Sequence, residues 1–364
     1  MERVLHYKYA LVKDHSTPHV KEVPGFTYAY MTDKLKQTDT SYRDLFEPVY
    51  HFPNIRNFAE FSRKNQIKLI HAHYGQLGIK LLRYVEGTGV PLVVSFRGKD
   101  ITSYPRKKEN RRKLTELFNQ AELLLPVCSY FADRLIHLGC PKEKIRVLYG
   151  GVDLRKFAFQ HRSEPPAGNP IRLLTIGRFT EKKGFTYLLQ AFAKIHSQHP
   201  STELRMIGRR GEVSDEVKRL VNHLGLKRKV KIKEYLDHDK IAEELQKAHI
   251  FCLPSITAAN GDMEGIPNVL KEAMAAGLPV VSTKHAGIPE LIEHGKEGFL
   301  ADERDVNGLT AMLEKLIVQP KQWKQLAVRG REKVEKNFNL QKQLALQAQF
   351  YEEARSSFLS RSRS

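Results

Sequence analysis

Hydrophobic and polar positions follow a repeating order along most of the chain: a short apolar run, a polar turn, then a longer stretch with apolar residues every three or four positions. Short apolar runs closed by glycine read as strands, and the longer periodic stretches read as helices. From position 52 the rhythm is regular. A helical segment (NIRNFAEFSRKNQ, 54–66) precedes the strand IKLIHAHYG (67–75), a helix (GIKLLRYVEGTG, 78–89) and the strand PLVVSFRGKD (91–100). A basic segment, the strand ELLLPVC (122–128), the helix SYFADRLIHLG (129–139) and the run IRVLYGGVD (145–153) follow. Before position 52 only VLHYKYALV (4–12) and GFTYAYM (25–31) stand out as strand candidates.

Residues 158–170 (AFQHRSEPPAGNP) have the proline and polar content of an interdomain linker, and a second alternating series begins after them. Its strands are IRLLTIG (171–177), ELRMIG (203–208), VKIKEYL (230–236), HIFCLPS (249–255) and the apolar run 278–281. Its helices are FTYLLQAFAKIHSQ (185–198), 212–225, 237–249 and the one entered at Pro267-Asn268 and closed at Gly277. AGIPELIEHGKEGFL (286–300) ends the sheet; helices over 305–319 and 320–337 and a final helix from 339 to 354 complete the chain, with a frayed basic tail from Ser356. Strands alternating with helices predict right-handed crossovers and parallel sheets, whose ligands bind beyond the carboxyl ends of the strands. The expected fold is therefore α/β, with two Rossmann-like domains facing across a cleft: 1–157 plus the returning helix 340–357, and 158–339.

The chemistry concentrates where the strand at 249–255 gives way to the helix at Pro267-Asn268. The first N–H groups of a helix lack partners and carry partial positive charge, so they attract anions. Two acids flank this entrance, Glu264 before it and Glu272 inside it. Either both face solvent, as acids near a helix start commonly do, or they grip hydroxyls on both sides of a central phosphate. A nucleotide sugar has that outline. The loop GRFTEKKG (177–184) adds Arg178 and Lys183 at another helix start, an unfavourable placement for cations unless an anion is shared between them.

The 364 residues suit two domains, and no apolar run reaches membrane-spanning length. Three cysteines, Cys128, Cys140 and Cys252, with no paired spacing point to a reducing compartment and away from structural zinc. The N-terminus lacks a secretory signal pattern, which fits a cytoplasmic setting. The net charge of +19 includes a dense cluster at Arg106, Lys107, Lys108, Arg111, Arg112 and Lys113. That cluster is either a solvated helix face or a contact for an anionic membrane surface, which would make the protein peripheral on the inner face of the cell membrane.

The run EGIPNVLKEAMAAGLPVVST (264–283) resembles the donor-binding segment of the family 4 retaining glycosyltransferases, in which two glutamates stand eight residues apart. The resemblance spans roughly residues 67–340 and is close to the exopolysaccharide and colanic-acid type. It implies the two-domain GT-B fold, with the last helix crossing back to the first domain. It also implies that Glu264 holds donor-sugar hydroxyls and Glu272 the ribose, while Gly265, Ile266, Pro267 and Asn268 face the diphosphate. Arg178 and Lys183 match the family's cationic loop, which neutralises that diphosphate. Tyr235 or Leu236 stands where the family packs the nucleotide base, although either would also serve as buried core.

HAHYG and SFRGKD resemble two further loops of the family, placing His71, His73, Gly98 and Asp100 on the acceptor side. The second loop commonly reads histidine-glycine-x-aspartate; here Arg97 stands in the histidine's place. Arginine stays charged and cannot shuttle a proton. Its candidate role is to hold the diphosphate or an acidic acceptor, and the expected catalytic group is Glu264, Arg97, Lys183 and Arg178. The family's glycine-rich turn after the first strand is missing; His15-Ser16-Thr17-Pro18 stands about where it would be, so the acceptor loop is unusual or the start is abbreviated.

The resemblance implies an enzyme moving a sugar from a nucleoside-diphosphate sugar, UDP-linked in preference to GDP-linked, to a glycan or lipid-linked acceptor in cell-envelope polysaccharide synthesis. No cofactor or metal is expected, since the donor is a substrate and Asp237-His238-Asp239 reads as a helix cap rather than a metal motif. Nucleic acid is not an expected partner. A basic nucleic-acid-binding protein would account for the charge, yet not for the paired glutamates or the Arg178–Lys183 loop. A fold relative catalysing epimerisation or phosphorolysis is the other alternative.

Overall fold

The computed structural model describes residues 2–8, 26–32, 49–51, 57–162, 168–234 and 238–361. They fall into two compact units, Met1–Tyr149 with Gln341–Ser364, and Gly150–Leu340. The first is built on β1 (Glu2–Lys8), β2 (Phe26–Thr32), β3 (Val49–His51), β4 (Ile67–Ala72), β5 (Leu92–Phe96) and β6 (Leu123–Pro126). All pair in parallel, in the order β3-β2-β1-β4-β5-β6. Helices α1 (Phe58–Lys64), α2 (Gly75–Val85) and α3 (Lys108–Gln120) connect described strands, and α4 (Ser129–His137) follows β6. A parallel sheet covered on both faces needs strands that are apolar throughout. That is why Leu69, Ile70, Val93, Val94, Leu124 and Leu125 are all buried.

The second unit repeats the plan. Its strands are β7 (Ile171–Ile176), β8 (Thr202–Ile207), β9 (Val230–Lys233), β10 (Ile250–Leu253), β11 (Val280–Thr283) and β12 (Phe299–Ala301), again all parallel, in the order β12-β11-β10-β7-β8-β9. Its helices are α5 (Phe185–Gln198), α6 (Ser214–His223), α7 (His238–Lys247), α8 (Asn268–Ala275), α9 (Ile288–Leu291), α10 (Val306–Val318) and α11 (Trp323–Asn337). Trp323 is buried at the start of α11, with Nε1 donating to the Leu316 carbonyl at 2.8 Å. The last helix, α12 (Leu340–Arg361), returns the chain to the first unit. In each sheet the winding direction reverses once, between β1 and β4 and between β7 and β10.

The run IRVLYGGVD forms no strand; it is tied to β6 by one bridge, Leu124 with Ile145, and by the Arg146 and Leu148 N–H groups. Two segments depart from the sequence reading. The described part of the expected linker is packed rather than free. Arg162 is buried and donates to the carbonyls of Leu245 and Ala276, both at 3.1 Å, and to the Gln246 side-chain oxygen at 3.4 Å, acceptors that all belong to the second unit. The tail expected from Ser356 is helical to Arg361, because Arg361 pairs with the buried carboxylate of Glu122. The three cysteines are free and buried. His15 to Pro18 lie outside the described residues.

Candidate active site

Where a sheet winds outward in both directions from a central pair of strands, the loops leaving that pair part to opposite faces and open a crevice at its carboxyl end. In the second unit the pair is β7 and β10, and the loops are 177–184 and 254–267. They meet backbone to backbone at Gly184. Its φ of 65° suits glycine, and a Cβ there would lie 1.9 Å from the Pro254 carbonyl oxygen, so no other residue fits. The Ile256 N–H donates to the Lys182 carbonyl at 2.9 Å, and the Ala259 N–H donates to the Glu181 carboxylate at 3.0 Å.

This clamp brings four charges together. Lys182 Nζ lies 3.1 Å from both Asp262 Oδ2 and Glu264 Oε1, and Lys183 Nζ lies 3.2 Å from Glu264 Oε2. Burial alone would raise the Glu264 pKa, but the Lys183 and Lys182 ammonium groups outweigh it and hold the carboxyl at about 2. Burial would likewise lower Lys182, and Glu264 and Asp262 reverse that and raise it. Arg178, on the first loop, is exposed, and its guanidinium has no partner among the described residues.

A second layer fixes the Glu264 backbone. A peptide N–H can only donate, so the 3.1 Å contact from the Glu264 N–H makes His285 Nε2 an acceptor. The ring proton therefore sits on Nδ1, which donates to Glu303 Oε1 at 2.6 Å. Glu303 also accepts the Thr257 N–H at 2.7 Å. Against burial, those donors hold its carboxyl below the ordinary glutamate range. Gly265, Ile266 and Pro267 are buried behind Glu264, and Asn268 opens α8 at the surface. The leading N–H groups of α8, Asn268 and Val269, have no intrahelical acceptor. Glu272 is buried one turn further along. Beside it Lys271 is also buried, its ammonium donating to the Gly150 carbonyl and lying 5.6 Å over the Phe338 ring. Tyr235, Leu236 and Asp237 lie outside the described residues.

The first unit carries its own polar cluster on the loops after β4 and β5. Asp100 is buried and accepts the N–H groups of Gly98 (2.9 Å), Gly75 (3.0 Å) and Arg97 (3.1 Å). It thereby ties the loop holding Arg97 and the buried Gly98 to the start of α2. Burial outweighs those bonds and leaves its pKa raised. His71 is buried with both ring nitrogens engaged, Nδ1 at 2.6 Å from Tyr351 Oη of α12 and Nε2 at 2.7 Å from Ser95 Oγ. His73 stacks on it at 4.2 Å. Arg97 Nη2 lies 3.0 Å from His73 Nδ1. A guanidinium only donates, so that nitrogen accepts and His73 is neutral. Arg97 itself is exposed.

The basic segment runs from the turn before α3 onto the helix's outer face. Arg106, Lys107, Lys108, Arg111 and Arg112 are exposed, Lys113 pairs with Glu109 at 2.5 Å, and Leu114, Leu117 and Phe118 anchor the opposite face. Among the described residues no group of three or more His, Cys, Asp or Glu is arranged to hold a metal ion. None of the described helices is long and apolar enough to cross a membrane.

Lys182, Asp262, His285 and Glu303 were not among the residues the sequence singled out. The first two carried a signal, since Lys182 adjoins Lys183 and Asp262 stands two positions before Glu264 in an extended stretch. His285 and Glu303 carried none; only the folded loops bring them to Glu264.

A family model of group 1 glycosyl transferases matches residues 156–333, and a model of glycosyltransferase family 4 matches residues 26–156. The chain is 40% identical over 276 residues to an amylovoran biosynthesis glycosyltransferase, AmsK, of Erwinia amylovora, covering 75% of this chain and 66% of the relative. A putative colanic acid biosynthesis glycosyltransferase, WcaL, of Salmonella typhimurium is 36% identical over 287 residues, covering 78% of this chain and 70% of the relative. The match thus spans about two thirds of those relatives' own length. Among solved structures, Anabaena Alr3699/HepE in complex with UDP and glucose superposes with a TM-score of 0.80 at 19% identity, covering 97% of this chain and 100% of that one. Sucrose-phosphate synthase from Thermosynechococcus elongatus gives 0.80 at 19%, covering 98% and 100%. These two share the fold.

Proposed function

Because the chain belongs to the family 4 and group 1 glycosyltransferases, we propose that it moves a sugar from a nucleoside-diphosphate sugar to a glycan or lipid-linked acceptor in exopolysaccharide synthesis. The observation that carries this reading is the cluster of Lys182, Lys183 and Glu264 at the point where the second sheet reverses its winding. A carboxyl held at about 2 stays ionised near neutral pH, so Glu264 accepts hydrogen bonds from sugar hydroxyls and does not serve as an acid. Two lysines give it fixed counter-charge, and each ammonium has further N–H donors for a diphosphate.

In the reaction the bond from the anomeric carbon to the diphosphate breaks while the acceptor oxygen bonds to that carbon. Negative charge grows on the leaving group, and preorganised positive charge is the largest service a site can offer it. Arg178, whose guanidinium has no partner among the described residues, Lys183 and the N–H groups that open α8 supply that charge. Glu272 holds the ribose. With retention of configuration the acceptor arrives on the leaving-group face, and the departing phosphate takes its proton. That route needs no proton-shuttling side chain at position 97, so Arg97 serves by holding negative charge. A UDP-sugar is the favoured donor and a GDP-sugar the second choice. The involvement of relatives in amylovoran and colanic acid biosynthesis supports an exopolysaccharide acceptor.

The exposed basic face of α3 is read as contact with an anionic membrane on the cytoplasmic side. Its cations crowd the positive end of the helix and stand four apart in like-charge pairs, Lys107 with Arg111 and Lys108 with Arg112. Both placements are unfavourable in water, and an anionic surface relieves both.

A screen of UDP- and GDP-sugars for slow hydrolysis by the purified protein, read as free nucleoside diphosphate, tests the donor assignment without an acceptor. One donor class should be cleaved in preference to the rest. Failure of every nucleotide sugar to bind or be cleaved removes the reading.

A further inference from the structure

At the amino ends of β4 and β5 in the first unit, the end of the sheet away from Arg97, a cavity of about 420 Å³ opens beneath the last turns of α12. Ile67, Val90, Pro91, Phe358 and Leu359 form an apolar wall, Gln66 and Thr88 add neutral polar groups, and its charged lining is entirely cationic: Arg63, Lys68 and Arg355. Arg355 is bonded to Glu352 at 3.0 Å, whereas Arg63 and Lys68 are exposed and unpaired among the described residues. Inside, Ser62 is 1% exposed and its Oγ has no hydrogen-bond partner among the described residues. An orphaned buried hydroxyl is costly, and native folds rarely keep one without a ligand or ordered partner to satisfy it. At the mouth Leu359 is 48% exposed, which leaves a large apolar side chain in water at the end of a helix.

Nothing in the sugar-transfer chemistry uses these residues. A bare anion would leave the apolar wall unfilled, and a neutral apolar molecule would leave two cations and the hydroxyl unanswered. An anion joined to a hydrocarbon satisfies all of them. We infer that this cavity binds a phosphate monoester carrying an alkyl chain, with the phosphate between Arg63, Lys68 and the Ser62 hydroxyl and the chain along Val90, Phe358 and Leu359. Because α12 forms the roof and also supplies Tyr351 to His71, an occupant there clamps the same helix that orders the other end of β4.

The test is calorimetric titration of the full chain with decyl phosphate below its micelle concentration, beside inorganic phosphate and decanol. Decyl phosphate should bind saturably at one site and resist displacement by excess UDP. Inorganic phosphate and decanol should each bind at least about tenfold more weakly, since each answers only half of the lining. Arg63→Glu with Lys68→Glu, both at exposed positions, should weaken decyl phosphate by about tenfold or more at unchanged melting temperature, and Ser62→Ala by about fivefold. Inorganic phosphate binding as tightly as the ester would make this a bare-anion site, and decanol binding as tightly would make it an apolar crevice; either result overturns the proposal. So would displacement by UDP, absence of saturable binding, or unchanged affinity in the double variant.

Discussion

The two units share one strand order and carry polar clusters at the same place, the carboxyl ends of strands beside the reversal of winding, yet they treat their charges in opposite ways. In the first unit the buried polar groups are satisfied internally. His71 spends both nitrogens on Tyr351 and Ser95, Asp100 spends its carboxylate on three backbone N–H groups, and only Arg97 reaches the surface. In the second unit Lys182, Lys183, Asp262 and Glu264 are held against one another, with Arg178 nearby in the chain, unpaired among the described residues, and a helix start adding positive potential. One crevice is a shaped scaffold with a single exposed charge. The other is a concentrated cluster of opposed charges. On the proposed reading the second unit receives a diphosphate, which is the same in every donor and suits fixed charges, and the first receives an acceptor, which varies and suits shape with one cation.

The largest effect that would break this contrast is loss of charge in the second unit. Lys183→Ala should cut donor hydrolysis by about 10²–10³, the loss seen when one preorganised oxyanion donor is removed. Turnover at the wild-type level would show that the diphosphate does not lie there. Stability comes next. Glu303→Leu strands the buried His285 Nδ1–H and the Thr257 N–H, at about 1–3 kcal/mol for each donor left unpaired, measured as a shift in urea midpoint. A shift too small to resolve would mean that His285 is not fixed by Glu303.

The ion cluster also predicts a pH dependence of similar or smaller size. Glu264 is lowered from 4.5 to about 2, so its contribution is fully present above the unfolded value and disappears as pH falls from 4.5 to about 2. Up to about 3 kcal/mol should be lost across that window. Urea midpoints at pH 5 and pH 3 should therefore converge in Glu264→Gln, and equal slopes in both chains would refute the pairing. The smallest effect sharpens the first unit's side of the contrast. Arg111→Glu with Arg112→Glu should weaken binding to anionic vesicles, at about 1 kcal/mol per basic residue lost, without altering hydrolysis. Equal binding of the original chain to neutral vesicles would exclude an electrostatic contact.

The architecture was legible because local signals agreed with the global fold. Gly184 and His199 bracket a periodic stretch, and α5 occupies Phe185–Gln198 as read. Arg178, Lys183 and Glu264 were legible because they sit within short continuous motifs at strand ends. What the sequence withheld was contact between distant segments. The hydrogen bond from His285 to Glu303, the salt bridge of Lys182 to Asp262, and the pairing of Arg361 with Glu122 leave no periodicity or spacing to read. The last of these also explains why α12 outruns its expected end at Ser356: a tertiary ion pair anchors a turn whose own sequence looks like a tail.

The route of the chain sets an order of assembly. Residues up to Tyr149 leave the ribosome before those of the second unit, but their unit is finished only by Tyr351, Glu353 and Arg361, which reach His71, Arg146 and Glu122 from α12, much later in the sequence. The 150–340 segment is contiguous and holds its own sheet, so it can close while translation continues. Of these two units, the one begun first is thus the one completed last. Until α12 is made, His71 waits with an unfilled hydrogen bond.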